Sequence, residues 1–418
     1  MKAVIVNAGR FLSDNTSLIL TLLCLALYYL GYRYPLQVNN ALTSPTYSNT
    51  PLVLQLGKYV IFFAVLAVAL IVRTAQNNIA LDRPALVKII LYGYPAAQTL
   101  VAFLFTGNPW LLQTGIFFLA VSLLISSRDS VWDIRRISTF LEWFVYFALA
   151  VELLQIVLFL GVGRLPALAY LNSYSVRFGS VWDDPNGFAF AICLLGPFVL
   201  SRGQRPITFR VLVITALLVV LLLTQSLTGI GAFFLSSIIG LAGLSCFRLT
   251  RMRMLAVIGA LTTVFALLTI LLYSQLAQEV ISLKAQSIAE HIGSLDIIGD
   301  SDLLNFLGLS PSGRQGESGL INILVNFGVF FLFVYLAIGI RTAWRLAVKI
   351  NRHGNEAGGE LYYGAFFFVI AFYLGLLNLP VDTIFPLNLL MVIAIIISEC
   401  DHQAGGEEPL TARRGVEA

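Results

Sequence analysis

Charge is scarce in this chain. Asp, Glu, Lys and Arg together make up 11% of its 418 residues, roughly half of what an average soluble protein carries. Beside a hydrophobic fraction of 58%, that shortage excludes an ordinary water-soluble domain and predicts an all-α polytopic membrane protein. Cysteine is rare too. The four present, Cys24, Cys193, Cys246 and Cys400, lie in or at the end of different apolar runs without paired spacing, which predicts small core residues rather than a disulfide framework or a metal site. No run is basic and aromatic enough for nucleic acid, no polar stretch is long enough for a separate globular domain, and no internal repeat is visible. The basic start, Lys2 and Arg10, leads into an apolar run with no small-residue cleavage site after Tyr28-Tyr-Leu-Gly-Tyr-Arg33. That pattern predicts a retained first span.

What the chain does have is a succession of apolar runs. A span takes about 20 mostly apolar residues, and runs of that kind fall near residues 15–32, 52–72, 85–105, 109–126, 137–161, 186–201, 207–224, 226–247, 253–275, 317–341, 360–378 and 380–398. About twelve transmembrane helices are therefore expected. Two pairs are barely separated, at Thr106-Gly-Asn-Pro109 and at Leu379-Pro380, and with Pro95 and Pro380 nearby each pair reads as a tight hairpin or a broken helix. Lys and Arg accumulate on the cytoplasmic side of short loops. With the N-terminus inside, only Arg33, Lys58, Arg164, Arg177, Lys284 and Arg314 fall outside, leaving 20 of the 26 basic residues inside. Both termini are thus expected to be cytoplasmic, with residues 1–400 as a single polytopic membrane domain and 401–418 as a disordered cytoplasmic tail.

The outside cations point to the chemistry. Two long outer segments, 162–185 and 276–316, carry most of the polar residues on that face. In the second, Val280, Ile281, Ile288 and Ile292 recur at roughly helical spacing, which predicts a surface helix over residues 277–293. Arg177 and Arg314 precede the spans starting near Asn186 and Glu317. A guanidinium stays charged and offers a planar donor fork suited to phosphate oxygens, so a diphosphate is the natural ligand of both. The structural alternative is an ion pair with a neighbouring acid, or a place among lipid headgroups.

Asp183-Asp184-Pro185-Asn186 has the pattern of a helix cap followed by Pro in the first turn. Capping accounts for one acid and leaves the second open to a catalytic or Arg-orienting role. Glu317 is either a helix-start acid or a general base that takes a proton from a sugar hydroxyl. Among other ionisable residues, Glu142 is expected at the cytoplasmic interface, while Glu152 lies deeper and needs a partner or a proton. Asp382 lies at the depth of the candidate site, and His291 is either a base or a solvated residue of the surface helix. The turn at Gln225-Ser226-Leu-Thr228-Gly229-Ile-Gly231 predicts close helix packing at Gly229 and Gly231, with the hydroxyls of Ser226 and Thr228 available to line the cavity above.

Taken together, an Arg-containing segment running into Asp184-Pro-Asn-Gly187, the turn Thr224-Gln-Ser-Leu-Thr-Gly229, and a long outer loop closing on Gly316-Glu-Ser-Gly-Leu320 resemble the O-antigen ligase and polymerase superfamily. The resemblance covers about residues 170–340. Ligases of that superfamily usually carry His-Asn or His-Ser where this chain has Glu317-Ser318, so the Wzy-like polysaccharide polymerases are the nearer branch. Leu227 stands where the family pattern often has an Arg.

The resemblance implies a bacterial inner-membrane glycosyltransferase of O-antigen, lipopolysaccharide or exopolysaccharide biosynthesis. It would join undecaprenyl (polyprenyl) diphosphate-linked repeat units on the periplasmic face by inverting transfer, without metal, cofactor or nucleotide sugar. Its implied partners are lipid-linked glycan donor and acceptor, membrane lipids, a flippase and a chain-length regulator. Arg177 and Arg314 would hold the diphosphate, Glu317 would be the base, and Asp183 or Asp184 would compete for that role or orient Arg177. Two alternatives stand beside this reading: a ligase-type transferase acting on a lipid or protein acceptor, and a lipid-linked glycan transporter without catalysis.

Overall fold

The computed structural model describes residues 83–108, 134–162, 169–171, 176–180, 185–245, 306–308, 318–356, 358–382 and 387–399, with a few isolated positions between them. Eight helices and one hairpin make up this part of the chain: α1 (Arg83–Thr106), α2 (Ile134–Val162), β1 (Ala169–Leu171), β2 (Val176–Phe178), α3 (Pro185–Ser201), α4 (Ile207–Leu223), α5 (Leu227–Ser245), α6 (Gly319–His353), α7 (Glu360–Gly375) and α8 (Leu387–Glu399). Four helices contain stretches long and apolar enough to cross a membrane: Leu86–Thr106, Ile137–Gly161, Leu227–Leu244 and Gly319–His353. Pro185–Ser201, Ile207–Leu223, Glu360–Gly375 and Leu390–Glu399 are apolar but shorter. The eight helices match the third, fifth to eighth and tenth to twelfth expected spans; the other four lie outside the described residues.

α7 is the hub of the bundle, packing against α3, α5, α6 and α8. Its sequence, with Phe366, Phe367, Phe368 and Phe372 all buried, has no polar face because neighbours cover it on nearly every side. Small residues let the backbones close up. A β-carbon on Gly364 would sit 2.9 Å from the Leu194 carbonyl oxygen of α3, and one on Gly229 of α5 would lie 2.2 Å from Cβ of Ala189. The close approach expected at Gly229 is therefore present, whereas a β-carbon on Gly231 meets nothing within 4 Å. Cys193 is buried in α3, as expected of a small core residue. Large apolar side chains such as Leu104, Leu160, Leu212 and Ile340 point outward, the pattern of helices solvated by lipid rather than water.

Three features depart from the sequence reading. Residues 162–185 include an antiparallel hairpin, with Tyr170 opposite Arg177, so the fold is not purely helical. Pro95 sits inside an unbroken α1, whereas Pro380 lies in the turn after α7, in line with the hairpin alternative for that pair. α6 continues through the stretch expected to be a loop after residue 341 and reaches His353. It also breaks internally: Gly328 adopts φ 83°, ψ 170°, a conformation essentially reserved for glycine. At that break the Phe330 amide donates to the Phe306 carbonyl at 3.0 Å, and the Gln98 side chain donates to the carbonyls of Leu307 and Gly308 at 2.9 and 3.0 Å. A piece of the long loop thus packs between α1 and α6 and satisfies backbone groups that the interrupted helix leaves open.

Candidate functional site

The site is built where the hairpin meets three helix ends. β2 carries Arg177, whose side chain is buried despite its charge. Its Nε donates to the Thr224 carbonyl at 2.7 Å, and an Nη donates to Asn186 Oδ1 at 2.8 Å. Thr224 caps the C-terminus of α4 and Asn186 lies in the first turn of α3, so one guanidinium joins the hairpin to both. A carbonyl at a helix C-terminus has no intrahelical partner and carries partial negative charge, which suits it to a cation. The contacts fix the plane of the donor fork.

Behind Arg177 the chain is pinned to α2. Ser180 Oγ donates to the Ala148 carbonyl at 2.6 Å, and Gln155 Nε2 donates to the Ser180 carbonyl at 2.8 Å. Ala148, Glu152 and Gln155 share a helix face by their spacing, and buried Glu152 lies under the same turn, beside the Ser180 backbone. Ser180 has φ 51°, and so does Gln225. Among the described residues these are the two non-glycine positions in the left-handed region, a conformation that persists only where surroundings enforce it. They flank the Arg177–Thr224 contact on either side.

The remaining members follow from the turn after Thr224. Ser226 is buried and its Oγ accepts from the Gly229 amide at 3.0 Å, capping α5. Thr228 Oγ1 accepts from Asn378 Nδ2 at 2.6 Å, tying the start of α5 to the turn after α7. That turn in turn receives the start of α6: Ser318 Oγ donates to the Leu376 carbonyl at 3.2 Å, and the Leu320 amide donates to the same oxygen at 3.1 Å. Buried Asp382 closes the cluster, its Oδ1 3.2 Å from where a β-carbon on Gly319 would stand. Separate contacts therefore join Arg177 to Thr224 and Thr224 to Ser226, Thr228 to Asn378, and Ser318 to Leu376, with Asp382 beside Gly319, all at these helix ends.

No family model matches this chain, and no curated protein matches it. The site stands on its own geometry. Of the residues expected to act there, Arg177, Ser226, Thr228 and Asp382 fall in this layer, while Asp183, Asp184, His291, Arg314 and Glu317 lie outside the described residues. Ser318, the residue after Glu317, is the N-cap of α6.

The hydroxyls of Ser226 and Thr228 are committed to capping and to Asn378. Asn378 and Ser180 carry no role in the sequence reading, and Thr224 enters it only as the first residue of the turn motif. Thr224 and Asn378 each stand at the end of an apolar run, a signal that would have found them; Ser180, six residues before the nearest run, carries no such signal.

The opposite end of the bundle holds a different arrangement. Arg202 bridges Glu142 at 2.8 Å and Glu360 at 3.9 Å, and Arg205 reaches Glu142 at 2.8 Å. Ser138 Oγ donates to Glu360. Glu142 is thus a buried member of an ion-pair network at the end of α2 where it was expected, covered by its partners rather than bare. Removing two carboxylates from water is costly, and arginine donors at this distance offset it.

Proposed function

We propose that the chain is a multi-pass membrane glycosyltransferase that lengthens a polysaccharide, joining repeat units linked to a polyprenyl diphosphate at the face that carries Arg177. This reading includes twelve spans, both termini in the cytoplasm, a location in a bacterial inner membrane, and a metal-independent, inverting transfer. The observation that carries it is Arg177: a buried guanidinium, oriented by a helix-terminal carbonyl and an amide, at a junction flanked by two strained turns. Strained backbone of this kind clusters at functional sites, which supports a role for Arg177 beyond anchoring.

In the reaction, the acceptor hydroxyl oxygen forms a bond to C1 of the donor sugar as the bond from C1 to the diphosphate oxygen breaks. The electron pair leaves with the diphosphate, whose growing charge Arg177 and Arg314 stabilise. Glu317 takes the hydroxyl proton, with Asp183 or Asp184 as the competing base. Ser318 supports this assignment because it anchors the start of α6 on the Leu376 carbonyl, in the same polar layer as Arg177.

The test is chain extension in proteoliposomes supplied with lipid-linked repeat units. Arg177→Ala and Glu317→Gln, folded and at wild-type abundance, are each expected to lower the rate by about 10²- to 10³-fold, as loss of a transition-state charge contact does. Full activity in both would overturn the reading.

One observation favours a second reading, a lipid-linked glycan transporter: the break in α6 at Gly328. Interrupted helices are characteristic of transporter cores. The same proteoliposomes separate the two, since a transporter moves the lipid-linked unit across the bilayer without lengthening it.

A further inference from the structure

At the basic end, α8 finishes on Glu399, whose side chain is 1% exposed. Three cations converge on it. Arg341 Nε lies 2.8 Å from Oε1, Arg345 Nη1 3.5 Å from Oε2, and Lys88 Nζ 3.5 Å from Oε2. Among the described residues, three positive charges stand against one negative there, an excess of two. Lys349, one turn beyond Arg345, adds a further cation where its Nζ donates to the Ile397 carbonyl at 2.7 Å.

The neighbouring network contrasts with this one, because Arg202 and Arg205 are balanced by Glu142 and Glu360. Capping of α8 explains part of the arrangement, since Arg345 Nε also donates to the Ser398 carbonyl at 3.0 Å. Capping does not explain an excess that remains reachable: the side chains of Arg341, Arg345 and Lys88 are 38%, 35% and 25% exposed.

Depth and surroundings identify the missing charge. Along the contour of α6, which bends at Gly328, Arg341 and Arg345 lie at most about 33 and 39 Å beyond Gly319 at 1.5 Å per residue, a length comparable with a hydrocarbon core of about 30 Å. Beside the cations on the same helices are exposed apolar side chains, Ile340 and Trp344 on α6 and Val87 and Ile90 on α1. Such walls suit acyl chains and not a free ion.

We propose that the Lys88, Arg341 and Arg345 cluster at the junction of α1, α6 and α8 binds the phosphate headgroup of an anionic phospholipid, with its chains lying along Val87, Ile90, Ile340 and Trp344. Basic pockets between membrane helices recognise anionic lipids by this combination.

The test is a lipid titration of the full-length purified protein, read by native mass spectrometry. Phosphatidylglycerol is the probe, phosphatidylcholine the zwitterionic comparison and inorganic phosphate the free-ion comparison. Phosphatidylglycerol is expected to bind selectively, and Lys88→Gln and Arg345→Gln each to weaken it about fivefold. Arg345→Lys is expected to retain most of the affinity, and Arg210→Gln, which removes a cation away from the cluster, to leave it unchanged. Should Arg345→Gln fail to fold, Lys88→Gln carries the measurement. Equal binding of phosphatidylcholine, unchanged affinity in Lys88→Gln, or displacement of the lipid by inorganic phosphate at comparable concentration would each overturn the proposal.

Discussion

Gly229 shows how much a single missing side chain decides in this bundle. With a β-carbon predicted only 2.2 Å from that of Ala189, Gly229→Ala must push α5 away from α3, and the start of α5 is where Ser226 and Thr228 make their contacts. Overpacking of this kind costs about 1–3 kcal/mol, so thermal unfolding of Gly229→Ala is expected at lower temperature than wild type. Gly231→Ala is expected to be neutral or slightly stabilising, since alanine is the better helix former. The sequence offered both glycines as contact points, and geometry explains why one was wrong. Residues two apart on a helix point to nearly opposite sides. Arg177 was legible for a related reason, a charge where charge is scarce, but its partners Thr224 and Asn186 are nine or more residues away in the chain and only folding names them.

Among elements, α6 separates what periodicity reveals from what it hides. Its apolar first part was visible as a span, yet the helix runs on to His353 because Arg341, Arg345 and Lys349 recur every fourth residue and pack one stripe against the end of α8. A stripe of cations reads as a loop only when its partner is unknown. The interruption at Gly328 was not legible, since one glycine in an apolar run is usually an ordinary helix position. Gly328→Ala is expected to cost about 1–3 kcal/mol, because a β-carbon is strained at φ 83°, ψ 170°. Circular dichroism melts of the purified protein would show it, and an unchanged melting temperature would argue that the break is dispensable. The hairpin escaped notice because three-residue strands are too short to display alternation.

For the whole molecule, the described charges sort to two ends of the bundle. The described helices place Arg202, Arg205, Arg341, Arg345 and Lys88 at one end and the Arg177 layer at the other, in keeping with the basic asymmetry along the chain. A cysteine introduced at Gln204 is expected to react with a membrane-impermeant thiol reagent only after the cytoplasmic side is opened, in a background lacking the native cysteines; labelling of intact cells would reverse the orientation. Glu142→Gln is expected to destabilise the bundle by about 1.5–3 kcal/mol, because it removes charged hydrogen bonds while Arg202 keeps Glu360 and Arg205 stays half exposed, and a denaturant or thermal midpoint would register it. Which helix ends converge was not legible, since α7 touches α3, α5, α6 and α8 across separations that no local pattern encodes.

The contact between Phe306 and the broken turn of α6 has a consequence for biogenesis. A helix enters the bilayer readily when its backbone is satisfied within itself, and α6 is not, because the Phe330 amide depends on Phe306. Residues 306–308 leave the ribosome before α6 does, so the segment that completes the helix is already made when it is needed. Full satisfaction of the α6 backbone at its break is therefore expected only once residues 306–308 are packed against it, so the span and the preceding loop are completed together.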